Sequence, residues 1–448
     1  MNLVLAPRVR LLSAFALLLA AGCTGHSREQ IARVKSIEAQ VAKNERPSTQ
    51  AEAPAPLSLA ELVERAKRRS PETLRTELRG VVDEADFDQQ ATAGLPRIGV
   101  DSDFGRPAFV RRDESGGLLR VAPGLQWDVA RMLQMGRMKR LRGRSKEGAA
   151  LQQQLAREQV ELEVVRRYAE LEAARAAAAV AEARAASAAG AARIAELQGV
   201  TDPAAPETIG NAALLARQAG QAHGRVELAH ARLASLCGLQ PGERAAHFSD
   251  PERVSDPLPL GDYLQLVLAN SEGLKLADVR TELAVERARL TKAERWSMFR
   301  LSSNAGDLLQ ALSSSPFAVM NWTYALLDQG DFNRRLVKAR ADTLLSRLDR
   351  QDEADRLLDT GGRVWLALLD AALERGKAEE ALRQAKLAHR IAAAQVEDRT
   401  APPPIEQSAA LTLASAESDL KLRALDHLIA RTQYRLLGGA ESAEGRAE

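Results

Sequence analysis

Residues with reactive side chains are few and poorly grouped. Six histidines are spread over 448 positions, and the two that share a helical face, His223 and His230, are seven apart. On a helix their backbones are separated by about 10.5 Å along the axis, too far to chelate one metal ion, so no metal site is expected. Two cysteines, Cys23 and Cys237, can make neither a disulfide framework nor a four-thiolate zinc site. Acidic pairs are abundant, but none has a nucleophile, a base and an oxyanion or phosphate cradle beside it, so general acid–base catalysis has no local support. No enzyme activity and no cofactor are expected. What remains is the thiol of Cys23 and the fixed charge of Glu397, Asp398 and Arg399, and each depends on the elements that position it.

The balance of 62 Lys and Arg against 60 Asp and Glu gives no global case for nucleic-acid binding. Four Trp, four Tyr and eight Phe are too few for the aromatic girdles of a large membrane barrel built by one chain alone. The length allows two or three ordinary domains or one large repeated architecture. Residues 1–22 read as a signal peptide: Arg8 and Arg10 precede an apolar run, Leu11–Ala21, that is too short to span a bilayer. It ends Leu19-Ala20-Ala21-Gly22-Cys23, which resembles the lipobox of bacterial lipoproteins. That resemblance implies lipidation of Cys23, and Thr24 in place of Asp points to the outer membrane. An ordinary secretory signal is the alternative. Residues 23–57 read as a linker in which Ile31, Val34, Ile37 and Val41 have the spacing of a short amphipathic helix.

The rest of the chain is rich in helix formers at heptad spacing. From about Arg131 to Leu197, Leu155, Leu162 and Ala169 recur every seven residues, with Leu151, Val165 and Ala173 alongside and Arg and Glu on the other faces. A helix of about 65 residues would be roughly 100 Å long, an element that no compact globule needs. A second long helix is predicted from about Phe332 to Asp398, with Val337, Leu344, Leu358, Trp365 and Ala372 in one register and a bend or weak point at Gly361-Gly362. Trp365 and Tyr168 read as core residues. Turns rich in proline, through Pro203 and Pro206 and through Pro402, Pro403 and Pro404, reverse the chain into return helices from about Glu207 to Leu236 and Ile405 to Leu436. The return helices end in the similar phrases Leu236-Cys237-Gly238-Leu239 and Leu436-Leu437-Gly438-Gly439, as an internal duplication would leave them. The repeats are placed at 58–239 and 261–439, with a crossover at 240–260 and a tail at 440–448.

Before each long helix the period changes to two. Ile98, Val100, Ser102 and Phe104 form one alternating set and Leu119, Val121, Pro123, Leu125, Trp127 and Val129 another. In the second half Phe299 and Leu301, then Ala318, Met320, Trp322, Tyr324 and Leu326, repeat the pattern less cleanly. The fold class is therefore mainly α with a small β part, one β-hairpin per half and four strands in all. Four strands in lipid would leave unpaired backbone at two edges, so there they must close with strands of other chains; a small soluble sheet beside a coiled coil is the alternative. Two chains would give a filled barrel of eight strands, and three would give twelve strands with room for a conduit.

This layout resembles the TolC-like outer-membrane efflux proteins over nearly the whole mature chain, from about Leu57 to Gly439. The order of helix, hairpin, long helix, tip turn and return helix, used twice, carries the likeness. So do Leu125-Gln126-Trp127-Asp128-Val129 leading to Gly136, and Trp322-Thr323-Tyr324-Ala325-Leu326-Leu327-Asp328-Gln329-Gly330. Val165-Arg166-Arg167-Tyr168-Ala169-Glu170-Leu171 and Val364-Trp365-Leu366-Ala367-Leu368 resemble the family's aromatic-centred packing segment. The resemblance implies a homotrimer in which long helical hairpins form an α-barrel beneath a twelve-stranded barrel. It also implies outer-membrane lipid around the barrel, a periplasmic adaptor protein and an inner-membrane pump or transporter, in drug, metal or type I polypeptide export. Adaptor contact falls at the tips, on Gly199, Val200, Thr201, Arg399 and Thr400. Here the chain departs from the family's Arg-Gly pattern: the first tip keeps Gly199-Val200 without the Arg and the second has no Gly.

Two other readings stay open: a periplasmic adaptor, which should carry one hairpin between lipoyl-like and barrel sequences, and a structural coiled-coil lipoprotein, which has no use for paired strands. Three copies of Glu397 and Asp398 at a narrow aperture would attract cations and resist anions; solvated charges at a helix end are the alternative reading of both. Changing both to Ala should lower the cation sensitivity of the single-channel current, and unaltered conductance and cation sensitivity would remove the aperture role.

Overall fold

The computed structural model describes residues 28–42, 56–92, 97–103, 120–127, 129–198, 205–240, 242–249, 257–294, 301–304, 321–322, 331–398 and 404–438. In chain order these form α1 (28–42), α2 (Leu59–Arg69), α3 (Pro71–Thr92), β1 (Arg97–Asp103), β2 (Arg120–Trp127), α4 (Val129–Gln198) and α5 (Ala205–Cys237). The second half has α6 (Leu260–Asn270), α7 (Glu272–Glu294), β3 (Leu301–Asn304), β4 (Asn321–Trp322), α8 (Asp331–Glu397) and α9 (Pro404–Gly438). Two helices, two strands, a long helix and a return helix thus occur twice, and the duplication extends to its joints. Each half opens with an 11-residue helix, broken at Ser70 in one and Ser271 in the other, where the cap N–H bonds back to Ala66 or Val267. The return helices then meet these breaks: the Arg69 guanidinium donates to the Gly238 carbonyl at 3.3 Å, and the Asn270 amide donates to the Gly438 carbonyl at 3.0 Å.

The chain divides into two compact units, each drawn from several stretches. The first spans residues up to Lys35, Glu77–Gln152 and Gly273–Glu353. It holds one antiparallel sheet in the order β1-β2-β3-β4, so the two hairpins join through β2 and β3. Pro123 lies in an inner strand opposite Val100 of β1, and among the described residues the pairing of β2 to β3 runs from Gly124↔Asn304 to Trp127↔Leu301. The helices beside the sheet approach closely where residues are small: a Cβ on Gly80 would lie 3.3 Å from that of Ala149, and one on Gly148 would lie 3.3 Å from Val279. Glu84 lies between Arg33 of α1, at 3.4 Å, and Arg142 of α4, at 3.2 Å, while Arg142 also reaches Asp88 at 3.1 Å. The apolar spacing read in the linker is helical, although of its four residues only Ile37 is buried.

The second unit spans Ser36–Thr76, Gln153–Glu272 and Ala354–Glu448. Its main core joins Leu62, Val63 and Ala66 of α2 to Val160, Val164, Tyr168 and Leu171 of α4 and to Leu233 and Cys237 of α5. Ser58 and Glu61 cap α2 reciprocally, and Leu57 pairs with the crossover through bonds to Arg244 and Ala246. At the end of α5, Gly238 takes a positive φ of 62° and the Leu239 N–H bonds to Ala234, the 6→1 bond of a Schellman cap. In the second half Tyr263 and Tyr434 stack with ring centroids 4.0 Å apart.

Two expectations need correction. Gly361-Gly362 does not interrupt the long helix, because α8 continues through both. Gly361 is buried and serves as a notch, since a Cβ there would meet Leu264 at 3.0 Å, whereas one on Gly362 would meet nothing within 4 Å. Val337, Leu344 and Leu358 share one register of α8, and all three are exposed. Trp365 is only half-buried, its Nε1 donating to the Leu258 carbonyl at 2.8 Å, whereas Tyr168 is a core residue. Gly362→Ala should stabilise the protein by about 0.5–1 kcal/mol through helix propensity, while Gly361→Leu should cost about 1–3 kcal/mol by overpacking. Thermal denaturation followed by circular dichroism distinguishes the two.

Candidate functional site

Of the residues picked out from sequence, Glu397 is the last residue of α8 and Asp398 the turn after it. Both are exposed, and the Asp398 N–H bonds to the Ala394 carbonyl at 2.9 Å. Cys23, Gly199, Val200, Thr201, Arg399 and Thr400 lie outside the described residues. Among the described residues no group of three or more His, Cys, Asp or Glu is placed to hold a metal ion. His223 instead pairs with Glu182, and His230 is half-buried, its pKa lowered chiefly by desolvation.

Sequence reasoning missed two carboxylates buried on α4. Glu172 is fully buried, in a helix whose neighbouring core positions are apolar. Its oxygens meet Arg175, one turn on, at 2.5 Å and Lys421 of α9 at 2.6 Å, while the His247 ring lies 3.9 Å away. Burial pushes the pKa of this carboxyl up, but the Lys421 ammonium, the Arg175 guanidinium and the Phe248 N–H together hold it below the ordinary value. Arg175 also donates to the Ala245 carbonyl at 3.2 Å, and the Tyr168 hydroxyl donates to that of Ala246 at 3.0 Å. Eleven residues before Glu172, which is three turns and so the same face, Glu161 is also buried; it meets Lys67 of α2 at 2.8 Å and Arg435 of α9. The two acids therefore fasten the crossover and α9 to α4. One available signal was an acid following a core position twice at that spacing, Val160-Glu161 and Leu171-Glu172.

Two cavities flank this row. One, of about 770 Å³, is bounded by α2, α4, the crossover and α9, with Lys67, Glu161, Tyr168 and Arg435 among its walls. The other, of about 300 Å³, lies between α4, α5 and α9 and is lined by Val180, Arg184, Leu215, Gln218, Ser415 and Leu422.

Within the second unit α8 is apolar on two sides. Val364, Leu368, Ala378, Ala385 and Ala392 are buried; Val364, Ala378, Ala385 and Ala392 are spaced by multiples of seven, and Leu368 lies one turn after Val364. Leu366, Leu373 and Leu387 are 55%, 59% and 60% exposed. Leu366 follows Val364 by two residues, about 200° around the helix, and so lies on the opposite face. In the first unit the same helix exposes Val337, Leu344 and Leu348. No helix of the described residues is long and apolar enough to cross a membrane.

No family model matches the chain, and neither does any curated protein. Solved structures do match. The outer-membrane protein VceC of Vibrio cholerae aligns over 85% of this chain and 96% of its own, with a TM-score of 0.60 and 16% identity. The outer-membrane channel OprN aligns over 85% and 90%, at 0.61 and 20%, and the Campylobacter jejuni CmeC outer-membrane channel over 90% and 92%, at 0.66 and 14%. The chain therefore has the fold of TolC-like outer-membrane channels.

The depressed Glu172 carboxyl fixes a sign. Its contribution to stability is complete above the ordinary carboxylate value of 4.5 and is lost as pH falls below that through its own lower pKa. Wild-type protein should melt above Glu172→Gln at neutral pH, and the gap between their melting temperatures should close as pH falls below about 4.5. A gap independent of pH would show that the carboxylate's charge does not matter.

Proposed function

We propose that three copies of this chain form a passive export duct in the outer membrane. The observation that carries this reading is the second apolar face of α8. A helix hydrophobic on both sides belongs between two neighbours, and the described residues cover only one of its faces. Leu366, Leu373 and Leu387 on α8 are at the heptad spacing that a helix from another copy would cover. The sheet makes the same demand, since β1 and β4 are its end strands. Closing such a sheet across three copies gives twelve strands and an interior wide enough for a conduit.

Supporting the reading, the matched structures are of proteins described as outer-membrane channels. Each half, 58–239 and 261–439, supplies one hairpin of strands to the membrane barrel and one pair of helices to an α-barrel in the periplasm. Lipid on Cys23 anchors the chain to the outer membrane. A periplasmic adaptor binds around Gly199, Val200, Thr201, Arg399 and Thr400, and an inner-membrane pump or transporter supplies the energy. Glu397 and Asp398, repeated three times, ring the aperture. The chain itself does no covalent chemistry on what it conducts.

Purified protein should cross-link as a trimer and conduct in planar bilayers. Leu373→Glu should remove about 1.5–3 kcal/mol from each helix contact between copies and shift the cross-linked species toward single subunits. Lone, non-conducting wild-type subunits would return the chain to the structural coiled-coil lipoproteins.

A further inference from the structure

We infer that the larger cavity of the second unit is a binding site for a monoanion with an apolar body, an aliphatic carboxylate being the simplest case, and that Arg431 is the group that meets its charge. The inference does not rest on the duct reading.

The cavity, of about 770 Å³, is bounded by α2, α4, the crossover and α9. Its size is that of pockets that take small organic ligands, roughly 300–1,000 Å³. On α9 the wall is made by Leu428, Arg431, Thr432 and Arg435, whose spacing of three, one and three residues puts them on one face. The other walls add apolar side chains: Leu59 and Val63 from α2, Val165 from α4 and Phe248 from the crossover. Several neutral donors on these walls are already engaged. The Ser58 hydroxyl donates to Glu61 at 2.9 Å, that of Tyr168 to the Ala246 carbonyl at 3.0 Å, and that of Thr432 to the Leu428 carbonyl at 2.8 Å. Water in this space finds few partners, so an apolar body displaces it favourably.

Charge sets the other half of the specificity. Lys67, Arg431 and Arg435 line the cavity against two carboxylates, Glu64 and Glu161. Glu161 is buried and held by Lys67 at 2.8 Å and by Arg435. Glu64, more exposed, is shared between Lys67 at 3.6 Å and Arg68 at 3.9 Å. The His247 ring, 80% exposed, stands at the rim, 3.9 Å from Glu172. Arg431 is half-buried and has no hydrogen bond or ion pair among the described residues. A guanidinium among apolar side chains without a counter-charge lacks the planar, two-oxygen partner that a carboxylate supplies. One surplus cation calls for one negative charge on the ligand. The smaller cavity has no such surplus, because Arg184 and Asp419 balance there.

The test uses the full-length protein in a neutral detergent, with a diazirine-bearing dodecanoate as photoprobe. Labelled peptides should contain residues 58–67 or 246–249. Unlabelled decanoate should compete, and decanol, of the same length without the charge, should compete about tenfold less well. Arg431→Met should lower labelling by about the same factor while the melting temperature of the ligand-free protein stays unchanged, since the guanidinium has no internal partner. Leu428→Trp, which fills the space from α9 and leaves every charge in place, should also abolish labelling; if it fails to fold, Arg431→Met carries the measurement. Dioctanoyl phosphatidylglycerol as a competitor separates two sources of such a monoanion: stronger competition than by decanoate identifies a lipid, and weaker competition a free acid. Undiminished labelling of folded Arg431→Met, equal competition by decanol, or labelling confined to other peptides would each overturn the site. None of these readouts needs conduction, so a failed duct leaves the site standing and a failed site leaves the duct.

Discussion

A carboxylate removed from water must be met by cations or give up its charge, and Glu172 keeps its charge because three segments converge on it. Arg175 comes from its own helix, the Phe248 amide from the crossover and Lys421 from the last helix. Glu161, three turns earlier, draws in Lys67 and Arg435 in the same way. Apolar burial alone would hold the helices side by side and say little about their axial register. Charges at fixed positions along α4 specify that register, because a slip of one turn would strand a buried ion.

The duplication places these contacts in one fold without making the halves identical. Both halves break a short helix at a serine and bring a return helix back against the break. Large side chains fill the core there, and the contacts toward the far ends of α4 and α8 are mostly alanine. Within a single chain this leaves α8 with a second apolar face, and assembly is the natural way to cover it.

Much of this was legible from residue order. Heptad spacing located both long helices to within a few residues, and Pro203, Pro206 and the prolines at 402–404 located their ends, because helix period and proline geometry are local properties. The recurrence of Leu236-Cys237-Gly238 and Leu436-Leu437-Gly438 reported the duplication. The role of Gly361 was not legible. A glycine that weakens a helix and one that admits Leu264 look alike until the partner helix is in place. Nor does a heptad say which of its faces the chain itself will cover, and the register of Val337 and Leu344 is exposed. The buried acids were hidden for a related reason. On a chain with alternating Glu and Arg, the placement of Glu161 and Glu172 just after core positions is a faint signal, and Lys421, the neutralising partner of Glu172, lies 249 positions later.

The two joints at Gly238 and Gly438 solve one geometric problem with different chemistry. At the first, a guanidinium caps the returning carbonyl and Arg65 pairs with Glu243 at 2.9 Å. At the second, a neutral amide caps it and stacked tyrosine rings close the corner. Mobile ions reach the former only weakly, because the Arg65 and Glu243 side chains are 20% and 13% exposed, and hardly touch the latter. A molecule assembled from near-copies by different chemistry at each corner can therefore hold both corners closed from fresh water to brine.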